Sequence, residues 1–373
     1  MEKTKAETQP HAGRGVFITP EQYTREQAHR METTRGRLLI ASCRAGAYLA
    51  EQIVQRYEAL AIQAGGPGDV LYLADVDYRF SDSEACVRLD IPVNGDDVFI
   101  IQALFDPAMG GNVDQNYMAA LIAARTFREQ GASHVTAVLP YLAYGRQDKP
   151  TRFMREPTTA RLMADLSIAA GIDALITWAP HRTQIRGFYG SIPADMLTPL
   201  TLFVEVFDRF RGRDDVIVVA PDAGASKAVT HLGRALDLKC AIASKHRPQQ
   251  EEAVVTEVIG DFAHKRVALV LDDMISSGGT VYALVKRLVE EAGIKEVYLG
   301  VSHNLCMASA RDRLVELHTD HKLKQVVVTN SVPQTRAFRS LPFIEVRCLS
   351  DTLCRTINRI HYNRSVSELF YHE

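Results

Sequence analysis

Short apolar runs alternate along the chain with longer stretches whose apolar residues recur at helical spacing. Runs of this kind, rich in β-branched side chains, are typical of buried strands. We predict strands at residues 38–41, 98–105, 134–140, 174–177, 216–221, 240–244, 267–273, 296–301 and 325–329. The stretches 46–60 and 280–293 are typical of amphipathic helices, the second with Gly293 as its stop. Strands that alternate with helices predict parallel βαβ units and an α/β fold.

The series of strands and helices occurs twice. In each half an apolar strand runs into a polar, turn-rich loop, at residues 137–150 and 268–280. Because open α/β sheets bind ligands at the carboxyl ends of their strands, we predict two tandem domains with a site in or between them. The predicted segments are a polar extension at 1–36, domains at 37–197 and 198–350, and a C-terminal helical segment at 351–373 that returns to the first domain.

Composition narrows the function classes. The 373 residues are 46% hydrophobic and 24% charged, which is typical of a globular chain of about two domains. The formal net charge of −2 gives no global attraction to nucleic acid or to an anionic membrane. We expect no membrane-spanning segment and no signal peptide. Six cysteines without a CxxC pair or zinc-like spacing predict reduced thiols in a cytoplasmic protein.

The clearest chemical motif is VALVLDDMISSGGT at residues 267–280, where an apolar strand ends in two acids and a small-residue loop opens a helix. Glycines let the backbone approach a ligand, and loop amides at a helix N-terminus bind anions. Paired carboxylates suit the adjacent hydroxyls of a ribose. The alternative is a capped helix preceded by solvated acids. We predict a ribose 5-phosphate site at Asp272, Asp273, Ser276, Ser277, Gly278, Gly279 and Thr280.

This motif resembles the phosphoribosyl-binding loop of the type I phosphoribosyltransferase fold. Nearly all of residues 37–370 resembles the ribose-phosphate pyrophosphokinase family, whose separate motifs occur here in the family's order. The resemblance implies an α/β fold of two tandem type I phosphoribosyltransferase-like domains with mostly parallel sheets.

Two of these motifs concern ATP. Residues 79–84, RFSDSE, are similar to a family segment that reaches the adenine of ATP bound to a neighbouring subunit, and residues 140–149, PYLAYGRQDK, are similar to the family's PYxxYxRQD segment. Without the family the alternatives are a surface turn and a polar loop. The resemblance implies ATP contacts from Phe80, Asp82, Glu84, Arg146, Gln147 and Asp148.

Three further motifs concern catalysis and a metal. His181 in APHRTQIRGFYG resembles a family histidine close to the Mg-triphosphate, and Asp222 in VVAPDAG matches a metal-associated carboxylate. The resemblance assigns both residues to Mg²⁺. Lys245 and Arg247 in SKHRP match the family's KxRP and, with His181, are the implied catalytic residues. The alternatives are a structural histidine, a helix cap and a solvated basic turn.

The implied reaction is transfer of the β,γ-pyrophosphoryl group of Mg-ATP to the 1-hydroxyl of ribose 5-phosphate, giving AMP and phosphoribosyl pyrophosphate. His181 and Asp272 both remain candidates for a general base. The resemblance also implies a homo-oligomer in which dimers build a hexamer. No partner among nucleic acids or membranes is expected.

Several positions depart from the family pattern. Ser276 replaces the third acid of DDxxDTGGT, Ala225 replaces a glycine of PDxGG, Ser83 replaces the glycine of RFSDGE, and residues 177–181 read TWAPH. These changes indicate a divergent member that could use a larger ribose 5′-phosphoester such as ADP-ribose. Two other hypotheses are a non-catalytic regulatory subunit and a phosphoribosyltransferase that consumes phosphoribosyl pyrophosphate.

Overall fold

The computed structural model describes residues 31–151, 153–246 and 254–370, and two large sheets organise them. The first half contains the strands β1 (Glu32–Thr33), β2 (Gly36–Ser42), β3 (Leu71–Leu73), β4 (Asp77–Arg79), β5 (Ala85–Val87), β6 (Asp97–Ile101), β7 (His134–Val138), β8 (Ala174–Trp178) and β9 (Ala194–Leu197). Strands β4 and β5 form a separate antiparallel pair. The others form one sheet in the order β1-β2-β6-β7-β8-β9, with β3 also beside β2.

Helices cover both faces of this sheet. They are α1 (Ala47–Gln63), α2 (Val113–Glu129) and α3 (Thr159–Ala170). Every residue of β6 and β8 is buried, as expected for parallel strands packed on both sides. Only the β1–β2 pair of this sheet is antiparallel.

The second half repeats the arrangement. Its strands are β10 (Val216–Ala220), β11 (Lys239–His246), β12 (Val254–Ile259), β13 (Val267–Ile275), β14 (Glu296–Asn304), β15 (Leu323–Thr329) and β16 (Ile344–Arg347). Its helices are α4 (Leu200–Phe207), α5 (Ser226–Leu236), α6 (Gly279–Glu290), α7 (Ala308–Asp320) and α8 (Arg336–Arg339). The sheet order is β12-β11-β10-β13-β14-β15-β16, and all neighbours are parallel except β11 and β12.

The α/β fold with mostly parallel sheets is confirmed, while several predicted strand ends are wrong. The run predicted at 98–105 leaves the sheet after Ile101, and the side-chain amide of the next residue, Gln102, donates to the carbonyl of Asn116 in α2 at 3.0 Å. In contrast, β13 continues to Ile275, so the acidic pair lies inside the strand rather than at its end.

The final helix, α9 (Ser350–His361), packs against α1 of the first half. The Asn358 side-chain amide donates to the Tyr57 hydroxyl at 2.8 Å, and His361 Nδ1 lies 2.8 Å from an Asp97 carboxylate oxygen with both side chains fully buried. At the other end of the described chain, Met31 is buried in the same core and β1 joins the sheet. The domain boundaries given by the sequence stay predictions.

Short 3-10 helices complete the described part of the chain, at Arg44–Gly46, Thr183–Tyr189, Asp208–Phe210 and Ser367–Leu369. Within that part, no helix combines the length and the apolar character that crossing a bilayer requires.

Candidate active site

The loop after β13 forms a tight cradle at the start of α6. Gly278 has φ +78°, which favours glycine, and a Cβ at this position would lie 3.2 Å from the Ala310 Cα on α7, so a side chain would fit only if α7 moved slightly. Arg313 of α7 donates from Nη1 to the Ser277 carbonyl at 2.7 Å. The helix N-terminus and a guanidinium therefore meet at one loop, an arrangement suited to a phosphate.

The acidic pair lies directly before this loop. The Asp273 backbone N–H donates to Asp272 Oδ1 at 2.9 Å. Burial, together with the nearby carboxylates of Asp273 and Asp222, raises the pKa of Asp272 well above its usual range. Burial would also raise the pKa of Asp273, but the hydrogen bond and charge of His181 lower it instead. Asp273 is therefore the carboxylate that stays ionised most readily.

His181 reaches this acidic pair from the first half of the molecule. It follows β8 through the sharp turn at Ala179 and Pro180, and Ala179 has φ +43°. The His181 Nδ1 lies 2.5 Å from Asp273 Oδ2. The pair joins the carboxyl ends of β8 and β13, so the two sheets face each other across the site.

Arg146 completes a small cleft around this pair. The cleft is lined by Tyr141, Leu142, Arg146, Pro180, His181, Asp273, Met274 and His303. Arg146 is exposed at its edge, where a guanidinium can meet a phosphate or stack on a ring. Gln147, also exposed, and Asp148, partly buried, follow on the same loop without lining the cleft.

Asp222 lies at the carboxyl end of β10 and shapes the loop before α5. Its Oδ1 accepts hydrogen bonds from the backbone N–H of Gly224 at 2.8 Å and of Ala225 at 3.3 Å. Arg182, beside His181, donates from Nη1 to the Gly224 carbonyl at 3.4 Å. The Asp222 charge also contributes to the raised pKa of Asp272.

The remaining predicted residues either lie away from the cleft or are not fully described by the structure. Phe80, Asp82 and Glu84 are exposed at the β4–β5 turn, where Glu84 N–H donates to Asp82 Oδ1 at 3.1 Å, and none of them lines the cleft. Lys245 pairs with Val255 in the β11–β12 hairpin, but its side chain is not among those described. Arg247 lies outside the described residues.

Comparison with known proteins places this chain in a family. Residues 38–171 match the N-terminal domain of ribose phosphate pyrophosphokinase, and residues 241–371 match the phosphoribosyl synthetase-associated domain. The chain belongs to the ribose-phosphate pyrophosphokinase family. A ribose-phosphate pyrophosphokinase of Caldanaerobacter subterraneus subsp. tengcongensis is 35% identical over 301 residues, covering 80% of this chain and 91% of that protein. One of Chromobacterium violaceum is 36% identical over 297 residues, or 79% and 86%.

A solved structure supports the same family assignment. The crystal structure of phosphoribosylpyrophosphate synthetase from Mycobacterium smegmatis superimposes with a TM-score of 0.72 at 30% identity. The match covers 87% of this chain and 98% of that one. The tandem phosphoribosyltransferase-like fold implied by the motifs is thereby confirmed, and the chain is an enzyme of this family.

Four residues of the cleft, the phosphate loop and their surroundings were not predicted from the sequence: Tyr141, Arg182, His303 and Arg313. Tyr141 lies in the motif at 140–149 and Arg182 in the motif at 179–190, but the predictions named other residues of these motifs. The strand predicted at 296–301 stops two residues before His303, although the polar run Ser302-His303-Asn304 could have indicated the carboxyl end of a strand in a ligand-binding sheet. Arg313 sits mid-helix and carries no local signal.

Proposed function

We propose that this enzyme transfers the β,γ-pyrophosphoryl group of Mg-ATP to the 1-hydroxyl of ribose 5-phosphate, with AMP and phosphoribosyl pyrophosphate as products. One observation carries the proposal: the His181–Asp273 contact of 2.5 Å lies in one cleft with the ATP-motif residue Arg146, and Asp273 belongs to the acidic pair that directly precedes the phosphate loop. A kinase for this reaction needs a donor site and an acceptor site side by side.

Ribose 5-phosphate occupies the strand–loop–helix segment in this proposal. Its phosphate binds the loop from Ser276 to Thr280, where Gly278 and Gly279 allow close approach and the helix N-terminus favours an anion. Its hydroxyls bind Asp272 and Asp273. Arg313 holds the loop through its bond to the Ser277 carbonyl, so the cradle is formed before the ligand arrives.

ATP lies on the Arg146 side of the cleft. Its phosphates face Arg146 and His181, with Gln147 and Asp148 on the same loop. Phe80, Asp82 and Glu84 are exposed on a hairpin away from the cleft, so we assign them to the adenine of ATP bound to a second copy of the chain. This assignment requires a homo-oligomer, for which we propose dimers that build a hexamer.

The donor set around the acidic pair fits Mg²⁺. Asp222 and Asp272 offer carboxylate oxygens, which this hard cation prefers, and their mutual repulsion contributes to the raised pKa of Asp272. The described residues hold no group of three or more His, Cys, Asp or Glu side chains arranged for a metal, so ATP phosphates and water would supply most of its ligands. We propose Asp222 and His181 as its residues in this chain. When bound with ATP, Mg²⁺ supplies neutralisation of phosphate charge.

In the transfer step the ribose 1-hydroxyl oxygen attacks the β-phosphorus of ATP in line. The bond between that phosphorus and the α,β-bridging oxygen breaks, and AMP leaves with the bridging oxygen. Positioning and charge stabilisation carry such a reaction. We assign stabilisation of the transferred group to Lys245 and Arg247, and the proton of the hydroxyl passes to His181, to Asp272 or to solvent.

Cytoplasm is the proposed location. All six cysteines are free thiols in the structure, as a reducing compartment requires.

A second candidate acceptor is suggested mainly by Ser276 and by the sequence TWAPH at residues 177–181. Ser276 is the first residue of the loop, where the family pattern has an acid, so a negative charge is missing from the ribose end of the site. A larger ribose 5′-phosphoester such as ADP-ribose would then be the acceptor, with the same chemistry. Turnover with ribose 5-phosphate equal to or better than with every other ester of a panel would exclude this candidate.

A coupled assay of AMP release tests the main proposal. We expect AMP only when Mg-ATP and ribose 5-phosphate are both present. Lys245→Ala should lower kcat by about 10²- to 10³-fold, the usual effect of removing one preorganised charge. The matched control is Lys239→Ala in the same strand, whose exposed ion pair with Asp261 at 3.1 Å is not part of the site and should leave kcat within about twofold. No AMP with any acceptor would favour a regulatory subunit.

A further inference from the structure

His303 is a buried histidine that the proposed reaction does not use. It is the penultimate residue of β14, beside Met274 of β13, which directly follows Asp273, and only 3% of its surface is exposed. Its Nε2 lies 3.1 Å from the Ala179 carbonyl oxygen, and its Nδ1 lies 2.8 Å from the Ser331 hydroxyl. Both ring nitrogens are therefore engaged, one of them across the two halves of the molecule.

The partners of His303 determine its tautomer. A carbonyl oxygen only accepts, so Nε2 carries the proton that is donated to Ala179. Burial lowers the pKa of His303, so the ring is neutral and Nδ1 accepts from the Ser331 hydroxyl. The Ser302 carbonyl accepts from the Thr329 hydroxyl at 2.6 Å and lies 3.1 Å from the Ser331 Oγ. The direction of the Nε2 bond is fixed by the Ala179 carbonyl, which can only accept.

The residue that His303 holds is in a strained conformation. Ala179 has φ +43°, a region that a residue with a Cβ rarely adopts. Such a conformation persists only when its surroundings fix it, and here the Ala179 N–H donates to the Leu197 carbonyl at 2.9 Å while its own carbonyl accepts from His303. Pro180 follows, and His181 then reaches Asp273.

We propose that His303 is a positioning residue, which holds the turn at Ala179 and Pro180 so that His181 meets Asp273. Its role in turnover rests on the proposed function, whereas its role in holding the turn does not. The edge of the His303 ring also faces the Tyr141 ring, with centroids 5.1 Å apart, so the ring is held from the ATP-motif side as well.

Two substitutions separate the two hydrogen bonds. In His303→Gln the side-chain amide nitrogen can take the place of Nε2 and keep the bond to Ala179. In His303→Asn the shorter side chain reaches only toward Ser331. We expect His303→Asn to lower kcat for AMP formation by about 10- to 100-fold, since a misplaced catalytic group can cost that much, with KM for ribose 5-phosphate within about threefold. His303→Gln should stay within about threefold of the wild-type kcat.

A second readout does not depend on activity. Trp178 is the single tryptophan of the chain, is 1% exposed and directly precedes Ala179. If the turn loosens, its fluorescence emission should shift to longer wavelength in His303→Asn but not in His303→Gln. His318→Asn is the control, because His318 bonds the Leu323 carbonyl at 2.8 Å and stacks on Phe343, away from the cleft.

The outcomes are distinct. A shifted Trp178 emission in His303→Asn alone supports the positioning role, even if the wild type does not turn over ribose 5-phosphate and the proposed function fails. The inference is overturned if His303→Asn matches His318→Asn in both emission and kcat. It is also overturned if His303→Gln is as impaired as His303→Asn, since the ring itself would then be required.

Discussion

Asp222 combines two roles whose contacts can be separated. Its Oδ1 accepts from the backbone N–H of Gly224 and Ala225, which shapes the loop before α5. Its charge raises the pKa of Asp272, and its carboxylate is one of the groups proposed for the cation. An asparagine keeps an oxygen acceptor at the same place and removes the charge, so it preserves the first role and abolishes the second.

Asp222→Asn should therefore leave the fold intact and weaken the response to magnesium. We expect the free energy of unfolding to change by less than about 1 kcal/mol, because the loop hydrogen bonds remain. The Mg²⁺ concentration for half-maximal AMP formation should rise by about tenfold or more. Urea denaturation and a magnesium titration measure the two effects. An unchanged magnesium titration would mean that Asp222 only shapes the loop and does not bind the cation.

Individual site residues were easier to predict from the sequence than the contacts between them. The motifs identified His181 and Asp273 separately, but the two are 92 positions apart and meet only because two sheets present their carboxyl ends to each other. No local pattern encodes such a contact. His303 was missed for the same reason, since its importance comes from a bond to Ala179, which lies 124 positions away.

At the scale of one element, the loop between β13 and α6 depends on Gly278. Its φ of +78° and the 3.2 Å separation of its Cβ position from the Ala310 Cα both oppose any side chain. Gly293, after the end of α6, has φ +70° but nothing within 4 Å of its Cβ position. Both glycines have a left-handed backbone, but only Gly278 has a neighbouring atom close to its Cβ position.

Gly278→Ala should lower both stability and acceptor affinity, whereas Gly293→Ala should lower stability alone. Each alanine should cost about 1–2 kcal/mol of unfolding free energy through its left-handed backbone. Only Gly278→Ala displaces the loop from α7, so only it should raise KM for ribose 5-phosphate, by about tenfold or 1.4 kcal/mol. Steady-state kinetics on both variants check this. Equal KM values for the two variants would mean that the loop is not part of the acceptor site.

The elements themselves were largely predictable, because buried parallel strands are continuous apolar runs that stand out from polar loops. The ends of the strands were harder to predict. The strand predicted at 98–105 ends four residues early, where Gln102 bonds to α2. Strand β13 runs four residues beyond its apolar part, because Asp272, Met274 and Ile275 continue the ladder with β14. Strand ends are decided by partners that lie elsewhere in the chain.

At the scale of the whole molecule, α9 returns to the first half and closes its core. Leu353 and Ile357 are buried against α1, and the hydroxyl of Thr33 donates to the carbonyl of His361 at 2.9 Å. Arg56 and Asp351 add an exposed ion pair at 2.5 Å. The first half is thus built from both ends of the described chain, so its stability depends on residues that follow the second half.

Ile357→Ala should therefore destabilise the first half from a position in the last helix. Ile357 is fully buried, and truncating such a side chain typically costs about 2–5 kcal/mol. Ile62→Ala is the matched control at the end of α1, where the side chain is 64% exposed, and it should cost less than about 1 kcal/mol. Urea denaturation followed by circular dichroism gives both values. Equal costs would contradict the packing of α9 on α1.

Product analysis of the complete reaction by ³¹P NMR tests the central claim most directly. Wild-type enzyme with Mg-ATP and ribose 5-phosphate should give AMP and phosphoribosyl pyrophosphate in equal amounts, because the α,β-bridging bond breaks and the pyrophosphoryl group moves as a unit. ADP with a singly phosphorylated product would mean that the γ-phosphorus is attacked instead. Either that result or unchanged ATP beside unchanged ribose 5-phosphate would contradict pyrophosphoryl transfer to this acceptor.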